Sequence, residues 1–295
     1  MKIGFVGLGN MGTGMANNIL NKIENKSDLF VYTRTLEKIK KFTSGGATGC
    51  TSINEITTSV DVLLTCLPNV ETSRQVFMGV DGIFEYANSN QVLVDHSTVD
   101  VKTSKDCFES ASSKGLKFLD APISGGPGGA ADGTLTIMVG GEKESFDYAK
   151  DAFSMMGAKI SHMGPSGAGT AMKLVNQLLV STNTVAAAEA FVLAEQSGVN
   201  LNAAIDILST SWGRSTMIER NGPITVNKEF ENSPAPLRNL VKDLGIIKEL
   251  TSELGLKLPV TMASSDVVDE TMGLNLEEPD IAATALSIKK ISGIQ

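Results

Sequence analysis

The residue types best placed to do chemistry here are a lysine and two amides in an otherwise apolar helix. Lys173 lies in Gly167-Ala168-Gly169-Thr170-Ala171-Met172-Lys173-Leu174-Val175-Asn176-Gln177. Helical spacing puts Lys173, Asn176 and Gln177 on one face. Leu174, Val175, Leu178 and Leu179 are then expected to point elsewhere, toward a core. Desolvation lowers a lysine pKa, which suits it to exchange a proton near neutrality. The competing reading is a lysine that snorkels, its stem on apolar surface and its head in water.

The chain opens Met1-Lys2-Ile3-Gly4-Phe5-Val6-Gly7-Leu8-Gly9-Asn10-Met11-Gly12. Ile3 to Val6 reads as a short buried strand. Gly7, Gly9 and Gly12 have the G-x-G-x-x-G spacing at the turn into a helix carrying Met15, Ala16, Ile19 and Leu20. Such glycines permit a tight turn, close approach to a pyrophosphate and close helix packing, and the helix N-terminus favours the phosphate charge. The strand before and the helix after supply the context that makes this a dinucleotide site, with Gly7, Leu8, Gly9, Asn10, Met11 and Gly12 as its loop. The second strand, Leu29 to Thr33, ends in Arg34-Thr35 with no acid to hold a ribose 2′-hydroxyl. Arg34 would attract a 2′-phosphate and Thr35 could donate to it, so NADP(H) is favoured, with NAD(H) the alternative.

Three further segments fall at strand ends, where open sheets hold ligands. Leu67-Pro68 follows one apolar run, and Ser97-Thr98 follows Val92 to Asp95 with His96 between. The hydroxyls there suit a ribose or nicotinamide, or a helix cap near Val99. The third segment is Asp120-Ala121-Pro122-Ile123-Ser124-Gly125-Gly126-Pro127-Gly128-Gly129-Ala130. Ser124 and the following glycines can aim backbone N–H groups at an anion, and a substrate carboxylate is the natural guest. Far downstream, Asn239, Lys242 and Asp243 would share a polar helix face opposite the stripe Leu237, Leu240, Val241, Leu244, Ile247, Leu250 and Leu254.

These segments need a scaffold. Up to about residue 163, apolar strands (Val62–Leu67, Val92–Asp95, Lys117–Asp120, Leu135–Val139) alternate with helical patterns, which indicates a mostly parallel, doubly wound α/β sheet. Beyond it nearly everything reads as helix, beginning with a long one from Lys173 to about Gln196 that Gly198 ends. The expected division is a dinucleotide-binding Rossmann domain at 1–163 and an all-helical substrate and dimerisation domain at 164–295. The long helix is a natural place for a homodimer or homotetramer interface.

With 295 residues the chain can fill two cores, and its net charge of −8 argues against nucleic acid and anionic membranes as partners. Cys50, Cys66 and Cys107 are scattered, so neither a disulfide framework nor a metal site is indicated. They suit small buried hydrophobes in a reducing, cytoplasmic setting. The N-terminal apolar run is too short for a signal peptide, and no stretch is expected to be long and apolar enough to cross a bilayer.

Taken together these motifs resemble the β-hydroxyacid dehydrogenases, the group containing 3-hydroxyisobutyrate dehydrogenase, tartronate semialdehyde reductase and glyoxylate/succinic semialdehyde reductase. Gly7 to Gly12 with Met15-Ala16, Ser97-Thr98, Asp120 to Gly126, Gly167 to Gln177 and Lys242-Asp243-Leu244 occur in the family's order across essentially the whole chain. The resemblance implies an oxidoreductase that moves hydride between a nicotinamide cofactor and a small 3-hydroxy acid or semialdehyde carboxylate. It implies Lys173 as acid/base and Ser124, Gly125 and Gly126 around the substrate carboxylate. Asn176 would position substrate and lysine, with Gln177 beside it and Asp243 at the pocket edge. Thr98 and Lys242 would contact the cofactor.

Many family members carry a Phe where this chain has Ala235, and the segment Ser211 to Arg220 looks more like a threonate-dehydrogenase branch acting on larger sugar acids. Arg214 or Arg220 could reach a polar substrate tail. The alternative of another class is a non-catalytic dinucleotide-binding module. A dehydrogenase using a His held by a carboxylate would have to rely on His96 or His162; His96 could approach the nicotinamide, but no partner Asp or Glu is evident for it, and it reads as a strand-end residue.

Overall fold

The computed structural model describes residues 1–233 and 235–294; Pro234, next to Ala235, lies outside them. Two compact units are present, Met1–Lys173 and a second from Leu174 onward. The expected boundary at 163/164 lies ten residues earlier (173 − 163). The difference has a simple cause, because backbone N–H groups at the start of the long helix donate to the Asp120 side chain in the sheet of the first unit.

The first unit is a doubly wound sheet. Its strands are β1 (Ile3–Val6), β2 (Leu29–Tyr32), β3 (Thr48–Gly49), β4 (Val62–Thr65), β5 (Val92–Asp95), β6 (Lys117–Asp120), β7 (Ile123–Ser124), β8 (Leu135–Gly141) and β9 (Gly157–Gly164). Their order is β3-β2-β1-β4-β5-β6-β8-β7, with β9 on the other edge of β8. Pairing is parallel from β3 through β6, and antiparallel where β8 meets β6 and β7. The chain leaves β1 toward β2 and then returns to its other side at β4. This is the switch point at which such sheets open a crevice at their carboxyl ends.

β1, β4 and β5 are fully buried four-residue runs, which is why they read as continuous apolar segments without alternation. One face packs Phe5, Met15, Ile19 and Val94 with Phe153; the other packs Leu63, Phe77, Leu93 and Phe118. The second face is closed by edge-on contacts among Phe77, Phe84 and Phe118, with centroids 5.2 Å apart for Phe77–Phe118 and 6.1 Å for Phe84–Phe118.

Helices Leu201–Thr210, Thr216–Asn227, Leu237–Glu253, Pro259–Met272 and Thr284–Ile291 make up the second unit together with the long helix Ala168–Gln196. Leu237, Leu240 and Leu244 form a core with Val185, Val268 and Ile281. Two sequence expectations are corrected here. Val175 and Leu179 are exposed, together with Met172 and Leu193, while Leu174, Val185, Phe191 and Val192 are buried. Apolar residues surround most of this helix, so composition alone does not tell its packed side from its open one. For the same reason its 29 residues are long and apolar enough to cross a membrane by length and composition, contrary to expectation. A core helix has that composition too, and this one is seated on buried side chains along one side.

Candidate functional site

The glycine turn leads from β1 into the helix Asn10–Lys22. Gly7 has φ of +98°, and a Cβ there would lie 2.3 Å from the Cys66 carbonyl oxygen. At Gly12 a Cβ would lie 1.9 Å from the Gly7 carbonyl oxygen, so turn and helix can close only without a side chain. Gly9 is different, since a Cβ there would meet nothing within 4 Å. Gly9 caps the helix without a side-chain bond, and the first turn holds no acid. The turn therefore presents an open, bare helix N-terminus, a cradle that fits a pyrophosphate. Thr13 Oγ1 braces the turn by donating to Leu8 O at 3.0 Å.

Arg34 and Thr35 lie exposed between β2 and the helix Leu36–Ser44. One cation escaped the sequence reading: Lys38 reaches back 30 residues, and its Nζ donates to Leu8 O at 2.8 Å. Its signal in the sequence is its place one helical turn beyond Arg34. It joins the Arg34-Thr35 corner to the glycine turn.

Asp95, at the end of β5, organises the two neighbouring strand-end loops. Its Oδ1 accepts from Thr65 Oγ1 and Ser97 N, both at 2.9 Å, and its Oδ2 accepts from Ser73 Oγ. Ser97 Oγ in turn accepts from Leu67 N at 2.8 Å. Leu67-Pro68 and Ser97-Thr98 are thus brought together, with Thr98 half-buried. The helix that follows is capped by Asp100, whose Oδ1 accepts from Thr103 N; Ser97 and Thr98 are not its caps. The sequence reading named Leu67, Ser97 and Thr98 but missed Asp95 and Thr65, which looked like ordinary strand residues.

His96 is a structural residue. Its Nδ1 meets Ala121 O at 2.6 Å and its ring stands edge-on to Phe153, with no carboxylate on either ring nitrogen. A carbonyl can only accept, so Nδ1 carries the proton and Nε2 would have to gain one inside the core. Burial accordingly lowers the His96 pKa to about 4 from the usual 6.5. A depressed folded pKa gives stability that is present above 6.5 and lost as pH falls toward 4. The fold should therefore lose roughly 3 kcal/mol across that window on account of His96. Urea unfolding at pH 7 and near pH 4 should show this loss, and His96→Gln, neutral throughout, should lack it; equal pH dependence in both proteins would refute the assignment. Cys50 and Cys107 are buried and pushed up to about 12, mainly by desolvation, which makes them unreactive packing residues.

Ser124 ends β7, paired in register with Thr136 of β8. Gly125 and Gly126 follow with φ of +134° and +64°, a bend that turns successive amides without a side chain in the way. The loop expected beyond them is in fact a short helix, Gly126–Asp132. The glycine helix holds it: Asn18 Nδ2 donates to Ala130 O and Ala131 O at 2.8 and 2.9 Å. Lys173 closes the first unit. It is 7% exposed, so little of its side chain reaches water. Asp120 ties the start of its helix to β6.

The second unit joins the remaining polar residues. Asn176 Nδ2 donates to Gln177 Oε1 at 3.0 Å, Gln177 Nε2 donates to Asp243 Oδ2, and Lys242 Nζ is 3.1 Å from Asp243 Oδ1. Asp243 is 4% exposed and lies with the buried face of its helix, whereas Asn239 is exposed. The expected shared polar face is therefore divided between core and solvent. Arg220 is committed elsewhere, in a bidentate pair with the buried carboxylate of Asp280, whose second contact is 2.6 Å. Ser233 Oγ also donates to Asp280 and accepts from Ala235 N at 2.9 Å, which braces the segment that carries Ala235. Arg214 is exposed.

Comparison with known proteins gives the same picture at both ends of the chain. Residues 2–164 match the NAD binding domain of 6-phosphogluconate dehydrogenase, and residues 167–286 match the NAD-binding domain of NADP-dependent 3-hydroxyisobutyrate dehydrogenase. The chain is 32% identical to 2-(hydroxymethyl)glutarate dehydrogenase of Eubacterium barkeri, covering 100% of this chain and 97% of that one. It is 30% identical to glyoxylate/succinic semialdehyde reductase 1 of Arabidopsis thaliana, covering 98% and 99%. Among solved structures, the Mycobacterium tuberculosis 3-hydroxyisobutyrate dehydrogenase with L-serine superposes with a TM-score of 0.87 at 28% identity, covering 98% and 99%.

Proposed function

Since the chain belongs to the β-hydroxyacid dehydrogenases, NAD(P)-dependent oxidoreductases acting on CH–OH groups, we propose that it interconverts a small 3-hydroxy acid and its semialdehyde carboxylate, using NADP(H). The observation that carries this reading is the burial of Lys173 on a helix that the first unit holds at its start. When bound, the cofactor supplies or takes the hydride, and the chain supplies orientation and charge. The glycine turn holds the pyrophosphate. Ser124 with the amides of Gly125 and Gly126 holds the substrate carboxylate. In reduction, Lys173 as ammonium stabilises the charge growing on the carbonyl oxygen and donates its proton there. In oxidation, the neutral amine takes the hydroxyl proton. Asn176 orients the reacting hydroxyl and the lysine, and the Gln177–Asp243 bond steadies Asn176 in its turn.

The preference for NADP(H) rests on two cations at the β2 end, Arg34 and Lys38, with no acid at the ribose position. A charge-assisted contact of this kind is worth about 1.5–3 kcal/mol in a favourable setting and less where water screens it. Arg34→Ala should then raise KM for NADPH about tenfold and leave KM for NADH nearly unchanged. Equal effects on both cofactors would remove Arg34 from the 2′-phosphate.

A second reading, favoured by the small side chain at Ala235 and the exposed Arg214, is a larger hydroxy acid with a polar tail. Steady-state rates decide between them. Glyoxylate, succinic, tartronate and methylmalonate semialdehydes would be offered with NADPH or NADH. 3-Hydroxyisobutyrate, threonate, 2-(hydroxymethyl)glutarate and L-serine would be offered with NADP or NAD. Fast NADPH-dependent reduction of a small semialdehyde supports the first reading, and turnover confined to the larger acids supports the second. Cofactor binding with no turnover of any compound would overturn both.

A further inference from the structure

Asp120 ends β6 with a side chain that is 1% exposed. Its two oxygens take separate backbone donors: Oδ1 accepts from Gly167 N at 2.7 Å and Oδ2 from Thr170 N at 2.8 Å. These N–H groups belong to the start of the helix Ala168–Gln196, where the first donors have no partner within the helix. A cap normally comes from the residue just before a helix. The residue in that place is Gly167, which has no side chain, and the hydroxyl of Ser166 one position earlier is turned to Ser104 O at 3.3 Å and lies 3.5 Å from Asp120 Oδ1. The cap comes instead from a strand 47 residues earlier.

That choice has a cost. Burial pushes the Asp120 carboxyl above its usual range, although the Gly167 and Thr170 amides pull the other way. For a group raised in the fold, its contribution to stability is full below the unfolded pKa and is lost as pH rises through the folded one. Holding this carboxyl in the interior is therefore a burden that a serine cap would not impose. What such a cap could not do is fasten the helix to β6. The chain beyond Asp120 runs straight into Ser124, Gly125 and Gly126, and three residues beyond Thr170 comes Lys173.

The seat also leaves no slack. A Cβ on Gly169 would lie 2.3 Å from Met138 O and 2.7 Å from Asp120 O, and one on Gly140 would lie 2.6 Å from Asp120 Oδ1. Thr170 Oγ1 meets Ser104 Oγ at 2.8 Å.

We infer that Asp120 is a positioning residue: its carboxylate holds the helical turn carrying Lys173 at a fixed spacing from the Ser124 loop. The inference rests on the reading of Lys173 as acid/base, and its test separates the two. Asp120→Asn keeps size and polarity but offers one acceptor to two amides, with its NH2 facing an N–H. Displacing an acid/base group by about 1 Å costs about 100-fold in rate. In the holoenzyme, with the semialdehyde turned over fastest in the panel above, kcat of Asp120→Asn should fall by about that factor. KM and the NADPH dissociation constant, read by cofactor fluorescence, should hardly move.

Lys173→Ala is assayed beside it. If Lys173→Ala is inactive and Asp120→Asn turns over like the parent protein, the inference fails and the lysine reading stands. If Lys173→Ala retains its rate, the lysine reading fails and takes the inference with it. A common fall in kcat, cofactor affinity and melting temperature would make Asp120 a support of the whole fold and overturn the positioning role. Should Asp120→Asn not fold, Gly169→Ala moves the helix start with the carboxylate intact. The same selective loss of kcat is then expected, and an unselective loss counts against the inference.

Discussion

Lys173→Ala is expected to lower kcat by about 10²- to 10⁴-fold, the usual worth of general acid–base assistance, while NADP(H) still binds with nearly its original affinity. The separation follows from where things are. The glycine turn and the Arg34–Lys38 corner are built from residues 7–38 and braced by bonds among those residues, from Thr13 and Lys38 to Leu8 O and from Gly7 N to Tyr32 O. The helix start would survive the substitution, because Gly167 and Thr170 keep their partner in Asp120. Lys173→Arg sharpens the test. A guanidinium keeps the charge but does not give up its proton at accessible pH. Arg should therefore fail to restore oxidation, the direction that needs a neutral base, even where some reduction returns. Steady-state rates in both directions, with NADPH fluorescence titration of each variant, are the measurements. Turnover close to the parent rate in Lys173→Ala would end the mechanism proposed above.

The second large effect is expected at the glycine turn, and it should differ in kind between two glycines. In Gly12→Ala the new methyl would sit 1.9 Å from the Gly7 carbonyl oxygen, which is backbone and cannot swing aside. The turn must open, at a cost of about 1–3 kcal/mol in stability and with loss of measurable cofactor binding. In Gly9→Ala the methyl meets no protein atom within 4 Å, and the backbone there, at φ −77° and ψ −164°, suits alanine. Its melting temperature should therefore stay near that of the parent. The methyl nevertheless occupies the space through which a pyrophosphate approaches the bare helix N-terminus, so affinity should drop by about tenfold or more, at about 1.4 kcal/mol per factor of ten. Thermal melts with and without NADPH separate the cases. Unaltered cofactor affinity in Gly9→Ala would place the pyrophosphate elsewhere.

What could be read from the sequence was local. Gly7 to Gly12 announce themselves because strand, turn and helix are consecutive, and each constraint falls on residues a few positions apart. Lys173, Asn176 and Gln177 follow from helical period, and Ser124 to Gly126 from a cluster whose composition has few other uses. The unread part is what distant segments do to one another. Asp95 gathers Thr65, Ser73 and Ser97 from separate strands and helices, and Asp120 caps a helix far along the chain. Lys38 folds back over 30 residues. The two aspartates leave no periodic or compositional trace, because an aspartate at a strand end looks the same whether it holds a loop, a helix or water. The outward face of the long helix was misjudged for a related reason, since apolar side chains all around it leave no phase to read.

The bonds from Asn18 to Ala130 and Ala131 carry a lesson for anyone who wishes to recombine such enzymes. The helix that follows the glycine turn and the segment that follows Ser124 are distant in sequence but are one mechanical part. The space around Gly133 is shaped to that asparagine, since a Cβ there would lie 2.5 Å from its Oδ1. A chimera that imports a foreign first βαβ unit with a different residue at this position would arrive without its latch. The β2 end meets the glycine turn through the bond from Gly7 N to Tyr32 O at 3.0 Å and through the Lys38 contact to Leu8 O. If Arg34 and Lys38 set the coenzyme preference as proposed, that preference can be redesigned through their exposed side chains, whereas the glycine helix and the Gly126–Asp132 helix have to be inherited as a pair.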